Sequence, residues 1–572
     1  MSDINQEVQE AFGGVIGGAD INNPRRTVGY GQYPKPQTPG SIDLGLKQAE
    51  LRKQLATPVS PWQTDITNRI LHHENLIVNV SPSGGKTSPV LAAWVQLIRD
   101  WDAGGSIPSQ KPTLLFVAKT KQLALQVYMD LHGELEKLLI SGDLLGGMTS
   151  GTLTPNAINR IKTLLQSLIV IQTGGGSKTP FGPTKPSSET LAYVATPPLA
   201  SKIASGKTKF RLVVIDELQE YLNKPAVSSG AEEPGSASDV RDMITIIRQT
   251  SSRDSSIVLM TGSLNEKSTE SLKRWLTLIT INNSLKRFRV IKKAVQNRSY
   301  IKVKSVGDLR SGNDLANLTG KIINNKQNNS LLMLFSVGEP GQQISPKTRM
   351  KIIDISEKLM RSLPRKSPEA IVGKSINRRT LTQSGRDTVY KSRIGGALED
   401  FRKSDSEELQ DMLRGYSVIN GKRFPRDQIL GECILHGFGY IAGGKERIKA
   451  MGHEIENMDT IFVQKLFKEG KIQLMIATDA VGVGANLKVK HMYIPFLKKY
   501  SGGGFGPIND SSLMQLVHRA GRDPREGAVI YCDSEDIGRI SEAINASEPY
   551  IAIPEISTKN IKTKTLISLF RF

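Results

Sequence analysis

Short runs of consecutive apolar, often β-branched residues recur along the chain, separated by stretches with helical spacing. In the first half they are LIVNV (76–80), TLLFV (113–117), LIVIQ (168–172), LAYVA (191–195), RLVVID (211–216) and SIVLMT (256–261). Runs that are apolar on both faces predict parallel strands covered by helices on either side. Intervening stretches such as KQLALQVYMDLHGELEKLL (121–139) predict those helices, so the units are βαβ and the sheet doubly wound. A polar stretch around 282–329 shows little periodicity. The rhythm then restarts with LLMLF (331–335), QLMIA (473–477), HMYIP (491–495) and AVIYC (528–532). The expected fold is α/β, with two tandem doubly wound parallel-sheet domains at 46–285 and 326–572. Residues 286–325 are expected as a linker, and 362–428 as a basic insertion on the second domain. Residues 1–45, rich in Gly, Pro, Asn and Gln, read as a disordered tail.

Composition narrows the partners. The chain has 76 Lys and Arg against 55 Asp and Glu, a formal charge of +21. Such an excess points to a polyanion, because neutralising phosphates releases counterions and gives affinity without sequence preference. Cysteines occur only at 433 and 532, which excludes a Cys-based zinc or iron–sulfur site and fits a reducing compartment. No run approaches the roughly 20 apolar residues that cross a bilayer. The N-terminus lacks the basic start and apolar core of a secretory signal. An intracellular location (cytoplasm, nucleus or virion), with no membrane partner, is expected.

Two strings look alike as phosphate loops: SPSGGKT (81–87) and SGKT (205–208). A phosphate loop works when a buried strand delivers a Gly-rich turn to a helix N-terminus, so that backbone N–H groups and the helix dipole face the phosphates. LIVNV–SPSGGKT–SPVLAAWVQLIRD supplies strand, loop and helix in that order, although the strict G-x-x-x-x-G-K-T spelling fails at Val80. The second string precedes a strand, and no helix comes after it; it reads as a basic connector. In the first, Ser83, Gly84 and Gly85 would cradle phosphates, Lys86 would reach the β- and γ-phosphates, and Thr87 would hold Mg²⁺. DELQ comes after the strand VVI (213–215), placing Asp216 to hold Mg²⁺ through water and Glu217 to polarise an attacking water. A nucleotide hydrolase that uses Mg²⁺ is the leading reading.

Over about 60–535 the chain also resembles, motif by motif and in order, the superfamily 2 helicases. SPWQ is similar to the adenine-recognising element, which implies that Gln63 contacts the base. LFVAKTKQLALQ (115–126) resembles motif Ia, with Lys119 where proline is common. QTGGG (172–176) and VATPPLA (194–200) resemble elements that hold the nucleic-acid backbone. MTGS (260–263) resembles motif III, implying that Thr261 and Ser263 couple hydrolysis to strand binding. IATDAVGVGANLK (476–488) is close to motif V and QLVHRAGR (515–522) to motif VI. The resemblance implies phosphate-backbone contacts from Thr120, Lys121, Gly174, Thr196 and Thr478, and a nucleotide contact at Gly484. Gln515 would orient water or phosphate, and Arg519 and Arg522, three apart, can stabilise charge on the γ-phosphoryl as arginine fingers do.

The stretch from LHGFGYIAGGKERIK (435–449) through GANL (484–487) is similar to the superkiller, exosome-associated branch, as is Gln219 in motif II; Tyr440, Ile441 and Ala442 depart from its histidine pair. That branch tilts the expectation toward RNA over DNA. The resemblance implies two RecA-like domains with ATP between them, and a motor that separates strands. Two rivals stand beside it: a duplex translocase that does not separate strands, and a non-enzymatic nucleic-acid-binding protein with a decayed motor.

Overall fold

The computed structural model describes residues 52–58, 60–80, 85–102, 111–141, 143–144, 163–173, 186–222, 234–262, 264–280, 287–293, 300–305, 317–320, 322–323, 329–334, 352–372, 405–419, 422–441, 457–477, 487, 489–495, 497–500, 505–508, 510–521 and 527–545. The tail expected at 1–45 lies outside them.

The first domain's strands are β1 (Asn75–Val80), β2 (Leu114–Val117), β3 (Ile169–Gln172), β4 (Ala192–Ala195), β5 (Leu212–Ile215), β6 (Ser256–Thr261) and β7 (Phe288–Lys293). They pair in the order β3-β4-β2-β5-β6-β1-β7, every pair parallel. All residues of β1, β2, β4, β5 and β6 are buried. Successive side chains point to opposite faces, so Leu76, Val78 and Val80 join one apolar core while Ile77 joins the other. Helices cover both faces: α1 (Pro61–Leu71), α2 (Thr87–Asp102), α3 (Lys121–Ser141), α4 (Pro197–Ala204), α5 (Gln219–Leu222), α6 (Pro234–Thr250) and α7 (Glu266–Thr280). The apolar-run reading of this sheet holds strand for strand up to β6.

The second domain's strands are β8 (Ile301–Ser305), β9 (Ser330–Met333), β10 (Tyr416–Ile419), β11 (Lys422–Pro425), β12 (Phe438–Ile441), β13 (Leu474–Ala477), β14 (His491–Ile494), β15 (Lys498–Tyr500), β16 (Phe505–Pro507) and β17 (Ala528–Cys532). Six form a parallel sheet, β12-β13-β9-β14-β17-β8, while β10–β11 and β15–β16 are antiparallel hairpins. The helices are α8 (Ile352–Ser362), α9 (Pro368–Val372), α10 (Asp405–Arg414), α11 (Gln428–Leu435), α12 (Asn457–Lys468), α13 (Asp510–Val517) and α14 (Ile537–Asn545). Gly439 lets β12 lie close to α12, since a Cβ there would stand 2.6 Å from Val463.

One expectation changes. The stretch 286–325 is not simply a linker, because it gives β7 to the first sheet and β8 to the second, each at an edge. Edge strands are covered less completely, so they carry charged residues and lose the unbroken apolar signature. Lys302 and Lys304 are exposed on β8. Within 362–428, the described residues fold onto the second domain: α10 and the β10–β11 hairpin are tied to α11 and α12 by a buried ionic network through Arg426. No described helix is long and apolar enough to cross a membrane.

Candidate nucleotide and nucleic-acid site

Parallel βαβ packing delivers the loops at the strands' C-terminal ends to one edge, where ligands bind in open α/β sheets. Three of those ends meet here. β6 lies between β1 and β5, so Thr261 sits beside Asn79, with the Lys86 turn on one side and Asp216 on the other. Gly85 has φ +79°, a backbone that favours glycine, and its carbonyl accepts from Gln63 Nε2 at 3.1 Å. Gln63 is buried in α1 and braces the turn immediately before α2. Thr87 is the first residue of α2, half-buried.

Lys86 is 7 % exposed, and its Nζ lies 3.1 Å from Glu217 Oε1 and 3.6 Å from Asp216 Oδ1. Burial acts to lower the ammonium's pKa, but the two carboxylates outweigh it and hold it above its ordinary value. Burial, opposed by Lys86, pushes Asp216 up to about 6. For Glu217 burial acts upward too, yet Lys86, Gln219 and Arg519 together hold it below the usual carboxylate range. Glu217 sits at φ +52°, a left-handed conformation uncommon outside glycine. Such strain persists only where surroundings over-determine it, and it clusters at functional sites. Its N–H donates to Asp216 Oδ1 at 2.8 Å.

Gln219 was legible only as a branch marker, and its place in the site was not. Fully buried at the start of α5, it donates through Nε2 to Glu217 Oε2. Its Oε1 accepts from Thr261 Oγ1 at 2.9 Å and from the Gly262 N–H at 3.3 Å. Asn79 was missed as well. Its side chain donates to the Leu264 carbonyl at 2.5 Å and accepts the Leu264 N–H at 3.2 Å, holding the turn after β6. The signal was present: a lone amide inside LIVNV, on a strand buried on both faces, needs internal partners.

Thr120 and Thr196 both occupy helix N-termini at the same sheet edge. Thr120 Oγ1 accepts the Leu123 N–H at 3.2 Å at the start of α3, where Lys121 is exposed. Thr196 is the N-cap of α4, with Pro197 in its first turn. SGKT (205–208) lies at the other end of that helix: the Ser205 and Gly206 N–H groups close its last turn on Ser201 and Ile203, and Lys207 is exposed.

From the second domain, Arg519 comes just after α13, is 6 % exposed, and lies near enough to Glu217 to lower its proton affinity. Ser83, Gly84, Gly174, Ser263, Thr478, Gly484 and Arg522 lie outside the described residues, as does the side chain of Gln515. The structure therefore brings Gln63, Gly85, Lys86, Thr87, Asp216, Glu217, Thr261 and Arg519 to one site. Among the described residues no group of three His, Cys, Asp or Glu is placed to hold a metal alone.

Residues 60–272 match the model of the DEAD/DEAH box helicase family. Over those residues the first domain is similar to that family. Relatives are distant. The archaeal ATP-dependent DNA helicase Hel308 of Thermoplasma volcanium is 24 % identical over 184 residues, 31 % of this chain and 26 % of its own length. The ATP-dependent DNA helicase MER3 of Saccharomyces cerevisiae is 30 % identical over 114 residues, 19 % of this chain and 9 % of its own. The mitochondrial DExH-box ATP-dependent RNA helicase DExH18 of Arabidopsis thaliana is 38 % identical over 60 residues, 10 % of this chain and 8 % of its own. The chain thus spans about a quarter or less of the length of these relatives. The DEAD/DEAH match carries the Lys86 turn, the Asp216–Glu217 strand end and the Thr261 strand end within its bounds.

Proposed function

We propose that this protein is an ATP-dependent helicase, hydrolysing ATP between its two sheet domains and using the cycle to move along and separate nucleic-acid strands. The observation that carries the reading is the Lys86–Glu217–Asp216 cluster at the ends of β1 and β5, with Arg519 of the second domain acting on Glu217. Lys86 is held by carboxylates that a triphosphate can replace. Glu217, kept ionised, is suited to polarise an attacking water. Arg519 stabilises negative charge developing on the γ-phosphoryl group, with Arg522 and Gln515 assigned beside it.

Mg²⁺ fits the donor set. A desolvated carboxylate at Asp216 and a hydroxyl at Thr87 are hard oxygen ligands, and magnesium characteristically takes one or two carboxylates plus substrate phosphates. When bound it would neutralise charge on the β- and γ-phosphates. Gln63 is assigned to the base while bracing Gly85. Gln219 joins Glu217 to Thr261, a route by which strand engagement reaches the hydrolytic carboxylate. Thr120, Lys121 and Thr196, with Gly174 and Thr478, are assigned to phosphates of one strand, as helix N-termini favour.

The matched relatives carry both DNA and RNA helicase names. We place this chain with RNA, from the superkiller-like stretch at 435–449 and from Gln219 in motif II. ATP turnover measured with single-stranded RNA and single-stranded DNA at matched salt tests the choice, and stronger stimulation by DNA overturns it. Strand-displacement assays test separation. Turnover stimulated by duplex without displacement would make the protein a translocase instead.

A further inference from the structure

Lys119, standing where motif Ia commonly has proline, leaves the end of β2 between two functional regions. Two residues before it, the Val117 carbonyl accepts the Asp216 N–H at 3.1 Å, joining β2 to the catalytic strand end. One residue after it, Thr120 opens α3: its carbonyl accepts the Ala124 N–H at 3.0 Å and its hydroxyl the Leu123 N–H. The Lys119 ammonium is committed on both remaining sides. It ion-pairs with Asp239 on α6 and stands 4.9 Å from the ring centroid of Tyr221 on α5. Both partners lie on helices that come after the catalytic carboxylates. Tyr221 is 2 % exposed and two residues from Gln219, whose side chain bonds Glu217 and Thr261.

Proline could make neither contact. The side chains of Lys119 and Asp239 are about a quarter exposed or less, so their attraction is screened less than at an open surface, and a cation over a shielded ring gains similarly. A shift of α5 as a nucleotide's phosphates displace Glu217 from Lys86 would move the Tyr221 ring, and Lys119 with it. Lys119 would then carry that displacement to the first turn of α3.

We propose that Lys119 is a positioning residue that couples the nucleotide site to nucleic-acid affinity, acting through Tyr221 and Asp239 on the α3 N-terminus. The proposal rests on the helicase reading above. Coupling of this kind needs a contiguous set of packed groups that both sites bias, and its strength is the factor by which one ligand changes the affinity of the other.

The test uses the full chain and three readouts: ATP turnover without nucleic acid, the KM for ATP, and single-strand affinity with and without a non-hydrolysable ATP analogue. Lys119→Ala is expected to leave the first two unchanged and to cut the nucleotide-dependent change in single-strand affinity about fivefold or more. Tyr221→Leu should act in the same direction. Lys119→Arg should preserve coupling, because guanidinium keeps both the carboxylate pair and the ring contact. Wild-type coupling in Lys119→Ala overturns the proposal. So does a parallel loss of basal turnover and melting temperature in that variant, which would make Lys119 merely structural. An absence of ATP turnover in the unmodified protein would strike the helicase reading instead.

Discussion

Lys86 in the first sheet domain and Arg426 in the second are both buried cations held by two acids, and their surroundings differ in kind. The Arg426 side chain is fully buried. Its Nε donates to Asp459 Oδ1 at 2.5 Å, and its Nη1 to Glu408 Oε2 and Ser417 Oγ, each at 2.7 Å. The second Asp459 oxygen accepts the Asp427 N–H at 3.0 Å, and Asp427 in turn caps α11 and accepts from Tyr440 Oη at 2.8 Å. Among the described residues, Lys86 Nζ donates to Glu217 Oε1 at 3.1 Å and makes a longer contact, 3.6 Å, to Asp216 Oδ1. Burial sets a similar proton affinity in both places: Asp459 and Asp216 are each pushed up to about 6, against the pull of their cations. A perturbed pKa therefore does not tell the two clusters apart. What does is position. The Arg426 cluster ties one hairpin to three helices through Nε and Nη1, while Nη2 is buried without a hydrogen bond among the described residues. The Lys86 cluster sits at converging strand ends, beside a turn and a carboxylate at positive φ.

The widest separation should come from removing an acid at each cluster. Asp459→Ala leaves Arg426 buried with half its counter-charge gone, and breaking a buried pair this way costs about 3–5 kcal/mol. Denaturant unfolding should show that loss. Glu217→Ala should leave the unfolding midpoint far closer to that of the unmodified protein, since Asp216 remains beside Lys86 and phosphates can reach the site. Equal destabilisation by the two variants would erase the distinction.

Turnover should separate them in reverse. Lys86→Ala is expected to cut ATP hydrolysis about 100-fold or more, the usual loss when a group directed at developing charge is removed. Stability should change little, because Asp216, already raised, can take up a proton. Steady-state hydrolysis beside a thermal melt checks both halves.

A third contrast is in pH. Asp216 must be ionised to hold a cation, and kcat/KM reports the free enzyme, so it should fall as pH drops through about 6. The stability effect of the same group has the opposite sign. Its folded pKa exceeds its unfolded one, so the folded state holds the proton more tightly, and this contribution to stability is lost as pH rises between about 4 and 6. A kcat/KM profile flat from pH 7 to 5 would remove Asp216 from the metal-holding role.

How much of this was readable in advance depends on locality. β1, the turn and α2 are contiguous, so their logic lies in one stretch of about 25 residues. DELQ announces itself because two acids end an apolar strand. The Arg426 cluster offered no such signal: Glu408, Ser417, Arg426 and Asp459 are spread over 52 positions and meet only because a hairpin folds back on two helices. β7 and β8 were hidden by their edge positions. Gln219 was visible as a letter, but its bonds to Glu217 and Thr261 depend on β6 lying between β1 and β5, which is a property of topology.

The smallest expected effect is also the cleanest check on the two phosphate-loop strings. Lys207 shares its Ser-Gly-Lys-Thr spelling with much of the Lys86 turn, and in a context-free view either lysine could serve a nucleotide. The structure puts the two at opposite helix poles. Lys86 precedes the first residue of α2, where N–H groups and the positive end of the dipole favour phosphate. Lys207 comes after the last turn of α4, where carbonyls face outward and the dipole repels anions. Lys207→Ala should therefore leave both the KM for ATP and the maximal turnover unchanged. Its exposed charge can at most alter nucleic-acid affinity weakly and in a salt-dependent way. A rise in the KM for ATP in this variant would mean that helix polarity does not choose between the two turns.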